Sequence, residues 1–115
     1  MSNSTTDFKA IQDKFDGCRQ ILTAIGDEVR QSILVTLMQS TCKEGMRVGE
    51  ITAHTHLSRP AVSHHLKVMK DAGIVRMRKE GTMTFYHIDV DAFEPLKKLV
   101  MLVDETMGKC HESIM

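Results

Sequence analysis

The segment from Thr55 to Gly73 restricts the fold more than any other part of this 115-residue chain. It opens with a tight turn in which Ser58 is a favourable helix N-cap. Pro60 follows in the first helical turn, where its missing N–H has no cost. Apolar residues then recur at helical spacing until Gly73, a typical helix terminator. The pattern predicts two helices joined by a tight turn, with the second helix near residues 59–72.

This second helix is predicted to have two chemically different faces. Val62, Leu66 and Met69 share an inner face that would hold the helix against a core. The outer side has cations and hydrogen-bonding groups, namely Arg59, Ser63, His64, Lys67 and Lys70. Such side chains bind phosphates and the edges of bases. We therefore predict a helix that contacts double-stranded DNA, an ordinary solvated basic face being the alternative.

A β-hairpin is predicted directly after this helix. Ile74 to Lys79 alternates in strand fashion, Glu80-Gly81 forms the turn, and the β-rich segment from Thr82 to Ile88 returns. Arg76 and Arg78 are expected to point outward, and together with Lys79 they are expected to contact the DNA backbone or the minor groove. The chain is neutral overall, but its net charge is +4 from Ser58 to Gly81 and −3 from Ile88 to Met115. This asymmetry predicts one surface suited to phosphates.

The remaining segments are predicted to be helical. Amphipathic patterns place a first helix at about residues 7–25, a second at 28–39, a short third at 49–54 and a last at 91–108. With 42% apolar and 26% charged residues, the chain has the composition of a globular domain. The predicted fold class is mainly α with a β-hairpin wing. We expect a winged helix-turn-helix of about five helices and a two-stranded hairpin, which forms one domain over residues 1–115.

The residues of this region resemble those of a known family. The stretch from Leu57 to Val75, with its Ser-x-x-x-Val-Ser-x-His-Leu core, is similar to the recognition-helix motif of the ArsR/SmtB family of bacterial transcriptional repressors. The resemblance extends upstream to the segment Ala24–Arg30, and downstream to Arg78-Lys79-Glu80-Gly81 and the aromatic pair Phe85-Tyr86. It implies a dimeric winged helix in which the first and last helices form the interface, and it implies repression of transcription.

The two end helices independently favour a homodimer. Both have more apolar surface than so small a monomer can bury, which suggests an isologous two-fold contact. The predicted interface residues are Phe8, Ile11, Phe15, Leu99, Val100 and Val103. Such a dimer would bind an operator that is an inverted repeat.

The resemblance also indicates where the family's metal sites would lie. The region of its Cys-x-Cys pair holds Arg47-Val48-Gly49-Glu50 here, and the ligand positions of the last helix hold Val90, Ala92, Val103 and Thr106. None of these side chains suits a metal, so the chain resembles the branch without the usual metal sites. We predict no metal and no cofactor. The sequence does not identify the molecule that would act as effector.

The cysteines leave an alternative function open. Cys18 lies on an apolar stripe and is predicted to be a core residue. Cys42 and Cys110 lie roughly where some members of the family have paired thiols, so a thiol-redox-switched repressor is one alternative, and inert thiols are the other. A winged helix used only for protein interaction is a third hypothesis.

The sequence gives little support for an enzyme or for a membrane protein. No nucleophile is paired with a base and no phosphate-binding loop occurs, so an enzyme is not predicted. The N-terminus is polar, and no apolar run approaches the roughly 18 residues of a membrane span. We expect a cytoplasmic protein with no membrane partner.

Overall fold

The computed structural model describes residues 3–40 and 44–114, with side chains for residues 8–40 and 44–110. Six α-helices and one antiparallel hairpin lie in these ranges, against about five helices predicted. The elements are α1 (Asn3–Gly17), α2 (Arg19–Ile25), α3 (Glu28–Leu37), α4 (Val48–Thr55), α5 (Arg59–Asp71), β1 (Val75–Glu80), β2 (Met83–Ile88), a 3₁₀ turn (Val90–Phe93) and α6 (Glu94–Ile114). The predicted fold class is confirmed.

The predicted first helix is in fact two helices. The amide of Cys18 donates to the carbonyl of Phe15 at 3.0 Å, a tighter i→i−3 bond that closes α1. Gly17 stands beside this break, and glycine is a poor helix former. A side-chain cluster spans the same point, because Asp16 accepts hydrogen bonds from Gln12 and from Arg19. The continuous apolar periodicity therefore concealed a local change in the hydrogen bonding of the backbone.

The last helix is longer than predicted. It extends to Ile114 rather than to about Gly108. A Cβ added at Gly108 would meet no atom within 4 Å, so this glycine lies on an open helix surface. A single exposed glycine costs a helix only about 1 kcal/mol relative to alanine, which does not suffice to end it.

The chain divides into two compact units. One contains α1 and α6, and the other is the segment Gln20–Ala92. In the second unit, α5 packs against α3, α4 and β1. Its fully buried side chains include Ile33, Ile51, Val62, Leu66, Met69 and Ile74. The core thus lies beneath α5 and holds one side of that helix.

Candidate nucleic-acid interface

The turn between α4 and α5 is defined by local backbone chemistry. His56 ends α4 in the left-handed conformation with φ of 58°, and its amide donates to the Thr52 carbonyl at 3.0 Å. Ser58 then caps α5, because its hydroxyl accepts from the Ala61 amide at 3.3 Å. The turn and the cap together set the direction in which α5 leaves α4.

The C-terminal end of α5 is closed by a Schellman motif. The amide of Gly73 donates to the Lys70 carbonyl and that of Ile74 to the Met69 carbonyl, both at 3.0 Å. Gly73 has φ of +81°, which glycine adopts readily and other residues rarely adopt. The helix therefore has defined ends, and the chain turns directly from it into β1.

The inner face of α5 is the one predicted. Val62, Leu66 and Met69 are all fully buried. The predicted outer residues are all exposed, namely Arg59, Ser63, His64, Lys67 and Lys70. At 3.6 residues per turn, Arg59, Ser63 and Lys70 lie within about 40° of one another around the helix axis. Lys67 adjoins this group and forms an exposed ion pair with Asp71 at 3.6 Å.

The two adjacent histidines of α5 have different environments. His64 is exposed, whereas His65 is half-buried and its Nδ1 lies 3.2 Å from Nη1 of Arg30. Their rings meet edge to face, with centroids 5.4 Å apart. His65 is therefore a packed residue within hydrogen-bond distance of Arg30.

The hairpin, or wing, begins at the end of this turn. Its register pairs Val75 with Ile88 and Glu80 with Met83, so the connecting residues are Gly81 and Thr82 rather than Glu80 and Gly81. Gly81 has φ of +62° and occupies the first central position, as a type II′ turn requires. The turn is thus one residue later than predicted.

The three predicted wing cations differ in how they are engaged. Lys79 and Arg76 are exposed, and Nε of Arg76 donates to Asp89 at 2.8 Å. Arg78 is partly exposed, at 34% of its side-chain surface, and its guanidinium already has partners within the protein. It donates to the carboxylate of Glu80 and to the carbonyl of Glu44, each at 3.1 Å.

Arg78 is also held by an aromatic ring. Its guanidinium carbon lies 4.9 Å from the centre of the Phe85 ring, its cross-strand partner. A cation over an aromatic face is attracted by the ring quadrupole. Arg78 therefore links the wing to the loop before α4, a role that sequence reasoning missed.

Backbone pairing reinforces the link between this loop and the wing. Met46 and Tyr86 exchange two backbone hydrogen bonds, both 2.8 Å long. Gly45 approaches so closely that a Cβ at this position would lie 2.6 Å from the Tyr86 carbonyl oxygen. A glycine at this position is the one sequence signal of the close approach, because any larger residue would meet the Tyr86 backbone.

Asp89 is the acidic partner of the wing. Burial favours its neutral form, but the hydrogen bond from Arg76, the Asp91 amide and the Arg76 charge together hold the pKa of Asp89 below its ordinary value. The carboxylate thus stays ionised beside Arg76 and keeps this cation at the base of the hairpin.

The predicted dimer residues lie on α1 and α6 but are not equally accessible. Phe8, Phe15 and Val100 are exposed, and Ile11 and Val103 are partly exposed. Leu99 is only 3% exposed, so its assignment to a dimer surface is wrong. Leu99 and Val100 point about 100° apart around the axis of α6. The Leu99 side chain therefore packs inside the protomer, whereas the Val100 side chain is exposed.

The thiols have contrasting positions. Cys18 is buried, which confirms its expected place in a core, and Cys110 is exposed on α6. Cys42 lies outside the described residues. The proposed switch between Cys42 and Cys110 therefore stays a prediction.

Two further findings concern metal-ligating side chains and the length of apolar helices. Within the described parts of the chain, no three metal-ligating side chains of His, Cys, Asp or Glu come together. Among the helices that the structure describes, none combines the length and the apolar character needed to cross a bilayer.

A capped helix with a polar outer face, preceded by a helix and a turn and followed by an anchored hairpin, defines a winged helix-turn-helix protein. The model of the family described as "Bacterial regulatory protein, arsR family" matches residues 27–77. An uncharacterized HTH-type transcriptional regulator of Methanocaldococcus jannaschii is 39% identical over 93 residues, which cover 81% of this chain and 98% of that protein. The chain belongs to the arsR family.

Two further similarities extend this result. The transcriptional repressor SdpR of Bacillus subtilis is 28% identical over 74 residues, covering 64% of this chain and 78% of SdpR. The solution structure of a homodimeric winged helix-turn-helix DNA-binding domain from Mycobacterium bovis is similar with a TM-score of 0.60 and 26% identity. That similarity covers 86% of each chain.

Proposed function

We propose that this protein is a homodimeric, sequence-specific DNA-binding repressor that reads an inverted-repeat operator with α5 and its wing. The single observation that carries the proposal is the contrast between the two faces of α5. One face is fully buried, and the other exposes hydrogen-bonding and cationic side chains. A helix held this firmly from behind can present its outer side chains to a major groove in a constant orientation.

The outer residues are assigned by chemistry. Arg59, Ser63, His64 and Lys67 supply the donors and acceptors that base edges require, and Lys70 supplies a phosphate contact. On the wing, the exposed Lys79 and Arg76 are the proposed backbone contacts. Arg78 also holds the wing against the loop that contains Glu44.

The dimer is supported by the surface of α1 and α6. Val100 and Met107 are exposed apolar side chains on one stripe of α6, and Phe8 and Phe15 are exposed on α1. The relative from Mycobacterium bovis is homodimeric. Repression is proposed from SdpR, which is a repressor.

The first test is a search for an operator. Purified protein selects fragments from genomic DNA, and fluorescence anisotropy then compares the selected site with a scrambled duplex at several salt concentrations. We expect an inverted repeat with half-sites about one helical turn, or 34–36 Å, apart. We also expect log Kd to depend steeply on log salt, because phosphate contacts release counterions.

Paired variants separate the two kinds of contact. Ser63→Ala/His64→Ala should cost about 1–3 kcal/mol per base contact and relax the preference for operator over scrambled DNA. Lys70→Ala should weaken both duplexes alike and lower the salt slope by about 1, whereas Lys97→Ala on α6 is the matched control.

Two results would overturn the proposal. Binding of every variant like wild type would mean that the wrong face was assigned. Weak binding without salt dependence or preferred sequence would favour a winged helix that binds only proteins.

A further inference from the structure

One side chain joins three segments of the second unit. The guanidinium of Arg30, on α3, donates through Nε to the Ala24 carbonyl at 2.6 Å and through Nη2 to the Thr23 carbonyl at 3.4 Å. Its remaining terminal nitrogen, Nη1, lies 3.2 Å from Nδ1 of His65 on α5. Arg30 thus touches the end of α2, the start of α3 and the middle of α5.

The two carbonyls belong to the last turn of α2, where helix carbonyls have no partner within the helix. A cation is also favourable there, because the C-terminal end of a helix carries partial negative charge. Gln31 performs a similar function from the next position, since its Nε2 donates to the Ile25 carbonyl at 2.8 Å. Gln31 therefore also binds the end of α2, and its hydrogen bond goes to Ile25 rather than to α5.

The backbone of Arg30 is anchored as well. Its amide donates to the carboxylate of Asp27, the N-cap of α3, at 3.0 Å. This hydrogen bond is the largest cause of the lowered pKa of Asp27, which keeps the cap ionised. The Cα of Arg30 is therefore fixed at the start of α3, and the guanidinium reaches α5 from a firm base.

The contact with His65 has a defined chemistry. A guanidinium can only donate, so Nδ1 of His65 must accept, and the ring proton then sits on Nε2. His65 lies next to His64 in the chain and between the buried Val62 and Leu66 and the exposed outer face of α5. A hydrogen bond at this side of the helix adds a directional restraint on the rotation of α5 about its axis, in addition to the close packing of Val62, Leu66 and Met69 on the inner face.

We infer that Arg30 is a positioning residue for DNA recognition. Through His65 it sets the rotation of α5, and so it determines which base edges Ser63 and His64 meet. The inference rests on the proposed DNA-binding function. Lysine cannot substitute, because a single ammonium cannot serve three divergent acceptors as the planar guanidinium does.

The test compares operator preference across matched variants. Arg30→Met and His65→Leu should each lower the ratio of operator affinity to scrambled-DNA affinity about tenfold. The loss of one hydrogen bond from a charged donor corresponds to about this change in affinity. The double variant should lose no more than either single one. His65→Asn, which keeps a side-chain acceptor, should recover most of the preference, and Arg30→Lys should not.

Gln31→Ala is the control for a merely structural role. It removes a hydrogen bond to the end of α2 but leaves the Arg30–His65 contact in place. We expect it to lower the thermal midpoint by circular dichroism while the operator preference stays at the wild-type value. Should Arg30→Met fail to fold, Arg30→Lys and His65→Leu carry the comparison.

The outcomes are distinguishable. An equal loss of affinity for operator and scrambled DNA, in step with a lower thermal midpoint, would overturn the positioning role, and so would an undiminished preference in Arg30→Met and His65→Leu. A wild-type protein without any sequence preference would instead overturn the proposed function itself.

Discussion

At the scale of single residues, the ion pair between Arg76 and Asp89 connects strand β1 of the wing to the residue that follows strand β2. The Asp89 carboxylate accepts from Nε of Arg76 at 2.8 Å and from the Asp91 amide at 3.1 Å. Its own amide donates to the Ile74 carbonyl at 2.8 Å. Asp89 is therefore bound on three sides, and the base of the wing depends on its charge.

This arrangement predicts a pH-dependent stability. The pKa of Asp89 in the folded protein lies below its ordinary value of 3.8. Because folding lowers this pKa, the stabilisation is fully present above about pH 4 and disappears as the pH falls through the folded value. We expect wild type to exceed Asp89→Asn in free energy of unfolding at pH 7, with the difference shrinking below pH 4. Urea titrations at pH 7 and at a pH below 4 measure the difference in free energy of unfolding between the two proteins. A difference that is constant with pH would contradict the prediction.

The role of a residue could be predicted from the sequence where its contact partner lies close to it along the chain. Ser58, Pro60 and Gly73 act on neighbours within a few residues, so their roles follow from sequence. Arg78 binds the carbonyl of Glu44, and Arg30 meets His65, and both contacts join residues more than thirty positions apart. Their chemistry was visible in the sequence, but the partner that uses it depends on the tertiary fold.

At the scale of elements, the contact between the loop before α4 and strand β2 invites a direct test. Gly45 and Gly81 both have positive φ angles, of +69° and +62°. An added Cβ at Gly45 would clash with a backbone oxygen of Tyr86, whereas one at Gly81 would meet nothing within 4 Å. Both alanine variants should lose about 1–3 kcal/mol from backbone strain, because side chains other than that of glycine rarely allow a positive φ.

Gly45→Ala should lose more than Gly81→Ala, because the clash adds to the strain. The free energies of unfolding in urea give the difference. Amide hydrogen exchange of Met46 and Tyr86, which bond each other, should accelerate only in Gly45→Ala. Equal losses in both variants, with both amides still protected, would show that the loop is not attached through Gly45.

Element boundaries were predictable where a cap or turn marks them, and wrong where periodicity stood alone. The start and end of α5 follow from its capping residues, and its inner face was identified correctly. The break at Cys18 escaped because the apolar spacing continues through it. Extension of α6 past Gly108 escaped because an exposed glycine weakens a helix without ending it.

At the scale of the whole molecule, the charge asymmetry and the apolar end helices suggested two separate tasks. The basic segment lies in the unit Gln20–Ala92, and the exposed apolar side chains of α1 and α6 lie in the other. The separation of the basic segment from the apolar helix surfaces was thus evident from sequence. Leu99 was misassigned because an apolar helix stripe does not reveal which of its edges is already covered within the protomer.

The proposed dimer makes different predictions for three neighbouring positions of α6. Val100 is 58% and Met101 is 61% exposed, but they lie about 100° apart around the helix, and only Val100 shares the stripe of Val103 and Met107. We expect Val100→Glu to yield folded monomers, because a charge cannot be buried unpaired at a two-fold contact. Met101→Glu, equally exposed, should stay dimeric, and Leu99→Glu should unfold the protein. Light scattering at micromolar concentration with circular dichroism distinguishes these states. A monomeric wild type, or a dimer that persists in Val100→Glu, would contradict an interface through this face of α6.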